Sequence, residues 1–281
     1  MTSANPALRP VRNPRDRKQR SSYERWLRRN ENITLSLVGI AGFLLIWELG
    51  SRIGFIDEFF FSKPTSIIAA AIREVQIARF WTDVRVSVFE FVVGYLAAVA
   101  LAVPLGLIIG WYRRLSYMVD PWLNLFNSLP RIALIPLLVL WLGLGVESKI
   151  AVVFLGAFFS IIIPTVQGVR TVDRRFLDVA HSFGASQSRL FTSVVAPATL
   201  PFITTGLRLG VGRALIGVIV GELYSQTQGL GVMIIRASEN IQPDRMFFAI
   251  SIFTFSGILA VVALRRVERR LDRWRPKLEE G

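Results

Sequence analysis

Apolar residues in this chain fall in long unbroken blocks, separated by short segments rich in charge. Residues 91–112, 150–169 and 246–264 contain no Asp, Glu, Lys, Arg or His. A helix needs about 20 mainly apolar residues to cross the hydrocarbon core of a bilayer, so each block predicts a span. Three further segments read as spans with more interruption. The first is 33–54, with Glu48 near its outer end. Another is 120–144, broken by Arg131 and open to kinking at Pro121, Pro130 and Pro136. The last is 199–222, which carries Arg208, Arg213 and Glu222. With the clean blocks read as 86–111, 150–169 and 246–264, six spans result. Between the first two, Pro64 opens a segment over 63–84 in which Ile67, Ile68, Ala71, Ile72 and Val75 recur at helical spacing among polar residues. It predicts an amphipathic helix at the membrane surface.

The expected fold is therefore all-α and polytopic, with three regions: a partly disordered basic tail over 1–32, a six-helix membrane domain over 33–264, and a basic tail over 265–281. Charge then orients it. Nine basic residues lie between Arg9 and Arg29, and seven between Arg265 and Lys277. Arg113 and Arg114 occupy the 2–3 loop, and Arg170, Arg174, Arg175 and Arg189 the 4–5 loop. The opposite loops are poorer, with Lys149 alone in the 3–4 loop. Six spans place both termini on the same side, and the positive-inside rule makes that side the cytoplasm.

The net charge is +13 and 52% of residues are hydrophobic. In such a chain the basic excess reads as topology signal and contact with anionic lipid, not as a nucleic-acid surface. There is no cysteine, and His181 is the single histidine, which excludes thiolate or His-cluster metal sites and His-dependent triads. His181 itself reads as an ordinary surface residue. No Gly-Lys pair occurs, so no GxxxxGK phosphate loop does either.

The 4–5 loop is the most informative polar stretch. Asp173 suits an N-cap, Gly184 a left-handed helix end, and Ser186 a second N-cap, with Pro197 and Pro201 stopping or kinking the chain on re-entry. Phe176, Leu177, Ala180 and Phe183 fall on one side of the first helix. The residues alone leave open a docking knob or a connector lying on the membrane surface.

Within this loop Asp178, Val179 and Ala180 are followed after three residues by Gly184, and after nine more by Val194 to Pro197. The spacing resembles the E-A-A-three residues-G-nine residues-I-x-L-P loop of inner-membrane permease subunits of binding-protein-dependent ABC importers. Ala180, Gly184 and Pro197 are identical to it, and Asp178 keeps the charge of the Glu. The chain is most similar to the nitrate, sulfonate and taurine branch. That likeness rests on Trp47-Glu48-Leu49, Phe61 to Thr65, Pro104-Leu105-Gly106, Asp120-Pro121, Trp141 to Gly145, Gly206-Leu207-Arg208 and Gly229-Leu230-Gly231, in order.

The resemblance implies a type I importer permease fold, with a cytoplasmic coupling helix in the loop 173–197. Asp178, Ala180, Gly184 and Pro197 would couple it to an ATPase. It further implies a non-catalytic transport subunit in the bacterial inner membrane, paired with a second copy, most simply as a homodimer. Two ATPase subunits would bind ATP and Mg, so this chain would hold no cofactor. A periplasmic or lipid-anchored binding protein would deliver a small anion such as a sulfonate, taurine or nitrate. A pyrimidine precursor or riboflavin is the alternative cargo.

Arg131, Arg208, Arg213 and Glu222 are the candidate pathway residues, because charge inside a membrane is costly and faces a cavity or a partner. They suit an anion pathway, or internal pairing with Glu48, Glu90 or Glu222. The small residues Gly206, Gly210, Ala214, Gly217 and Gly221 form one stripe on span five, suited to packing within a subunit, to a dimer contact or to a pore lining. A secondary carrier using Glu48, Glu90 or Glu222 as proton site is the other transport reading. A membrane enzyme lacks a paired catalytic constellation, and a simple anchor gives no reason for the loop motif.

Overall fold

The computed structural model describes residues 14–271, and all regular structure among them is helical. The chain forms two units, divided after Thr65. In the first, α1 (Pro14–Ile53) is followed by the short α2 (Glu58–Phe61). Residues 14–32, expected within a partly disordered tail, continue the helix of the first span, whereas 1–13 lie outside the described residues. The end of α1 binds the chain that returns beside it. Trp47 Nε1 and Ser51 Oγ both donate to the Ser62 carbonyl, at 3.2 and 3.1 Å. The Glu48 carboxylate accepts the Thr65 N–H at 3.1 Å and its hydroxyl at 2.9 Å.

In the second unit, α3 (Pro64–Glu74) leads into α4 (Ala78–Trp111). The surface helix is thus shorter than the expected 63–84, and the second span begins at 78 instead of 86. Asp83 explains the difference: it is only 4% exposed and bonded inside the unit, so the polar first turns of α4 belong to the core. Next come α5 (Arg113–Ser128) and α6 (Ile135–Leu142), joined by a 3-10 turn over Arg131–Leu134 and bent by 88°. Of the three prolines in this region, Pro130 makes the break: its ring bars Leu129 from helical geometry and leaves it extended, at φ −65° and ψ 133°.

Then α7 (Val146–Arg170) runs between α4 and α10 (Ala196–Ser225). The small α8 (Arg174–Ser182) and α9 (Gln187–Leu190) precede α10, and α11 (Leu230–Glu239) and α12 (Pro243–Leu271) follow it. The basic tail expected from 265 is helical as far as Leu271. Among the described residues five helices are long and apolar enough to cross a membrane, and the bent α5–α6 pair makes a sixth crossing if it counts as one broken span.

Small residues hold the three central helices together. A Cβ on Gly94 or Gly106 of α4 would stand 2.7 or 2.8 Å from Val153 or Thr165 of α7. On α10, Gly217 lies against the Val153 backbone and Gly206 against that of Ile161, at 2.9 and 3.0 Å from such a Cβ. The small-residue stripe of span five therefore packs within the subunit, on α7. In lipid, with no hydrophobic drive between apolar helices, such close approach is what makes association favourable. The core is correspondingly small-residue rich, with Ala98, Ala102, Ala157 and Ala214 fully buried, while Leu35, Ile46, Leu140 and Phe255 are exposed as lipid-facing residues are.

Pro197 and Pro201 do not stop the fifth span. A π turn over Phe191–Val195 precedes α10, in which the Ala196 N–H bonds the Phe191 carbonyl, five residues back. The wide turn makes room for a residue with no N–H, so the helix runs on from Gln187 to Ser225.

Candidate functional site

Polar chemistry inside the second unit gathers in two places, and a third set of functional candidates lies on the loop before α10.

The first place is closed. Asp83, Ser87 and Glu90 follow one another on a single face of α4, and all three are buried. Gly229, with φ +130°, turns the chain into α11 and points three successive N–H groups at side chains. The Gly229 N–H reaches Asp83 Oδ1 at 2.9 Å, Leu230 N–H reaches Ser87 Oγ at 2.9 Å, and Gly231 N–H reaches Glu222 Oε2 at 2.6 Å. Ser87 Oγ donates in turn to Glu222 Oε1 at 2.5 Å. These acceptors satisfy the orphan donors of the helix start, where negative charge is also favoured. Nearby, Lys149 Nζ pairs with Glu90 Oε1 at 2.8 Å and donates to the Gln228 carbonyl at 3.0 Å. Lys149 and Glu90 are 2% and 0% exposed. Lys149 is therefore not the loop charge that the topology count took it for, because the first turn of α7 faces α4 and carries it inward.

The second place is open. A cavity of about 370 Å³ is lined by Asn127, Pro130, Arg131, Gly156, Arg213 and Gly217, among others. The break before Pro130 delivers Arg131 to it. Its guanidinium donates to Asn127 Oδ1 at 2.7 Å and to the Gly156 carbonyl at 3.2 Å, and lies 5.5 Å from the centre of the Phe159 ring. Gly156 also brings α10 close: a Cβ there would stand 2.8 Å from the Arg213 carbonyl oxygen. No described residue lining this cavity is acidic. Two guanidiniums thus face open space without a carboxylate between them. Arg208, expected beside them, instead pairs with Glu268 of α12 at 2.9 Å, and Glu222 belongs to the closed cluster.

The third place is the loop 173–197. Asp173 Oδ1 caps α8 by accepting the Arg175 N–H at 2.9 Å, and Ser186 Oγ accepts the Arg189 N–H at 3.4 Å. Between them Gly184 has φ +76°. Its N–H bonds the His181 carbonyl and the Ala185 N–H bonds that of Ala180, the paired pattern of a left-handed glycine stop. Phe176, Val179 and Phe183 stand exposed along α8, while Leu177 and Ala180 turn inward. The helix presents an apolar stripe on a rigid, doubly capped loop. Asp178 and Ala180 lie on this helix, Gly184 at its end, and Pro197 apart from them at the start of α10.

The family model described as "Binding-protein-dependent transport system inner membrane component" matches residues 102–273. The chain belongs to this family. SsuC of Bacillus subtilis, named for aliphatic sulfonates transport, is 30% identical to the permease over 84% of this chain and 86% of its own. The taurine transport system permease protein TauC of Escherichia coli is 28% identical, over 89% and 93%. The formylaminopyrimidine transport permease protein ThiX of Halalkalibacterium halodurans is 32% identical, over 83% and 93%. A chain of the MetNI methionine ABC transporter, solved in inward-facing conformations, superposes with a TM-score of 0.58 at 17% identity, over 68% of this chain and 95% of that one, and so shares the fold.

Sequence reasoning about the permease singled out the cavity arginines and the loop but not the Asp83–Ser87–Glu222 clamp or the Glu90–Lys149 pair. The signal was present for α4, since residues 83, 87 and 90 lie three and four apart on one helix face. Nothing in sequence spacing ties them to residues 149 and 222 or to the backbone at 229–231.

Proposed function

We propose that this inner-membrane permease carries a small organic sulfonate or a comparable compact anion, with both termini in the cytoplasm. The observation that carries the reading is the acid-free cavity flanked by Arg131 and Arg213. Guanidinium groups in a partly desolvated site favour a planar or tetrahedral oxyanion, which they bind by paired hydrogen bonds. The relatives named for sulfonate and taurine transport support the same class. Two copies of the chain would form the pathway between them, and two ATPase subunits, holding ATP and Mg, would each receive one loop 173–197. Asp178, Ala180, Gly184 and Pro197 set the shape of that loop, and a periplasmic or lipid-anchored binding protein delivers the anion. Arg208 and Glu222 act on the pathway indirectly, by holding α12 and α11 to α10.

A second reading rests on the ThiX likeness: the same machine would carry a neutral pyrimidine precursor, with Arg131 donating to ring acceptors. Two measurements separate them. Thermal shift of the cognate binding protein with alkanesulfonates, taurine, nitrate and formylaminopyrimidine reads the cargo. Uptake by the Arg213→Gln permease reads the pathway, and a loss of roughly tenfold is expected for an anion that this charge stabilises. A binding protein that takes only the pyrimidine, with uptake untouched in the variant, would refute the anion reading.

A further inference from the structure

A second cavity, of about 330 Å³, lies where α4 ends, α5 begins and α7 passes into α8. Its lining includes Arg113, Ser116, Tyr117, Asp120, Arg170 and Arg174. Arg170 holds Asp120 at 2.5 Å and also donates to the Ser116 hydroxyl, so the one acid is already taken. Arg113 Nε donates to the Tyr117 hydroxyl at 3.0 Å and its guanidinium lies 5.5 Å from that ring. Neither Arg113 nor Arg174 has a carboxylate partner among the described residues. Three guanidiniums against one carboxylate leave an excess of two positive charges around a cavity at the end of the spans.

A basic cavity at the end of the spans suits the phosphate of an anionic lipid headgroup, which lies at that depth of a bilayer. We infer that this cavity binds the phosphate-bearing headgroup of an anionic phospholipid. Because Arg174 is the first residue of α8, the headgroup ties the base of the coupling loop to α5 and α7. The lipid then steadies the loop that meets the ATPase. This inference is independent of which solute the permease carries.

The test uses the whole permease–ATPase complex in nanodiscs of phosphatidylcholine mixed with phosphatidylglycerol. Native mass spectrometry counts retained lipid for the parent, for Arg113→Gln/Arg174→Gln, and for a tail control, Arg265→Gln/Arg266→Gln. The parent and the control are expected to retain phosphatidylglycerol over phosphatidylcholine, and the pocket variant to lose roughly tenfold of that preference. ATP-driven uptake by the parent should fall in pure phosphatidylcholine, whereas the pocket variant should be insensitive to the change. Equal retention by parent and pocket variant overturns the site. Displacement of the lipid by excess inorganic phosphate overturns the lipid source and reassigns the pocket to free phosphate.

Discussion

The two polar centres of this permease share α7 and α10 and differ in how far their charges are answered. At the start of α11, Glu90 faces Lys149, and Asp83, Ser87 and Glu222 each receive a backbone donor, with every one of these residues under 5% exposed. Around Arg131 and Arg213 the charge has one sign and the space is open. A buried ion pair closed off from solvent gives strong coupling within the fold but no access for a ligand. An unanswered charge in an open site costs stability and keeps its binding capacity. The contrast separates charges that hold the helices from charges that can meet a solute, although both look alike as single ionisable residues in an apolar run.

The contrast is most sharply tested at Lys149. Replacing it with Met should leave the Glu90 carboxylate buried without its cation and cost about 3–5 kcal/mol, read as a fall in Tm of the detergent-purified protein. The double change Glu90→Gln/Lys149→Met should recover much of that loss. If the double variant is as unstable as the single one, the pair is not the source of the effect. Gly217→Leu comes next. The Val153 backbone leaves no space for it, so separation of α7 and α10 should cost about 1–3 kcal/mol in the same assay.

Gly184→Asp probes the loop. A Cβ there meets nothing within 4 Å, so the penalty comes from the left-handed backbone alone, at about 1 kcal/mol. Membrane insertion should survive while ATP-driven uptake is lost, and normal uptake by the variant would exclude a rigid loop as the coupling element. The smallest effect belongs to Arg208→Gln. Its bond to Glu268 is part-exposed, 42% on the arginine side, and its removal should change stability by less than about 1 kcal/mol. A loss as large as that at Lys149 would place Arg208 with the closed centre.

Much of the architecture was legible before any packing was known. Apolar block length predicted the spans, and the cap residues Asp173, Gly184 and Ser186 predicted the helix–turn–helix of the loop. Each of those features is local: it depends on hydropathy over one helix or on the backbone preference of one residue. Pro130 was marked as one of three possible kinks, yet only the structure singles it out: Pro136 stands in the first turn of α6, where its missing N–H is tolerated, and α5 runs on through Pro121. The same holds for Pro197, whose cost is absorbed by the π turn before it.

The sequence by itself determined that this chain lies in a membrane, roughly where it crosses, and that a capped loop interrupts it before the fifth span. Tertiary structure decided what each intramembrane charge does. Lys149 is 59 residues from Glu90 and 79 from Gln228, Arg208 is 60 from Glu268, and Arg131 meets the carbonyl of Gly156 across a helix break. Hydropathy registers only that a charge is present. Its cost and its use depend on whether an opposite charge or a hydrogen-bond partner lies within reach, and that is fixed when glycine and alanine contacts bring α4, α7 and α10 together.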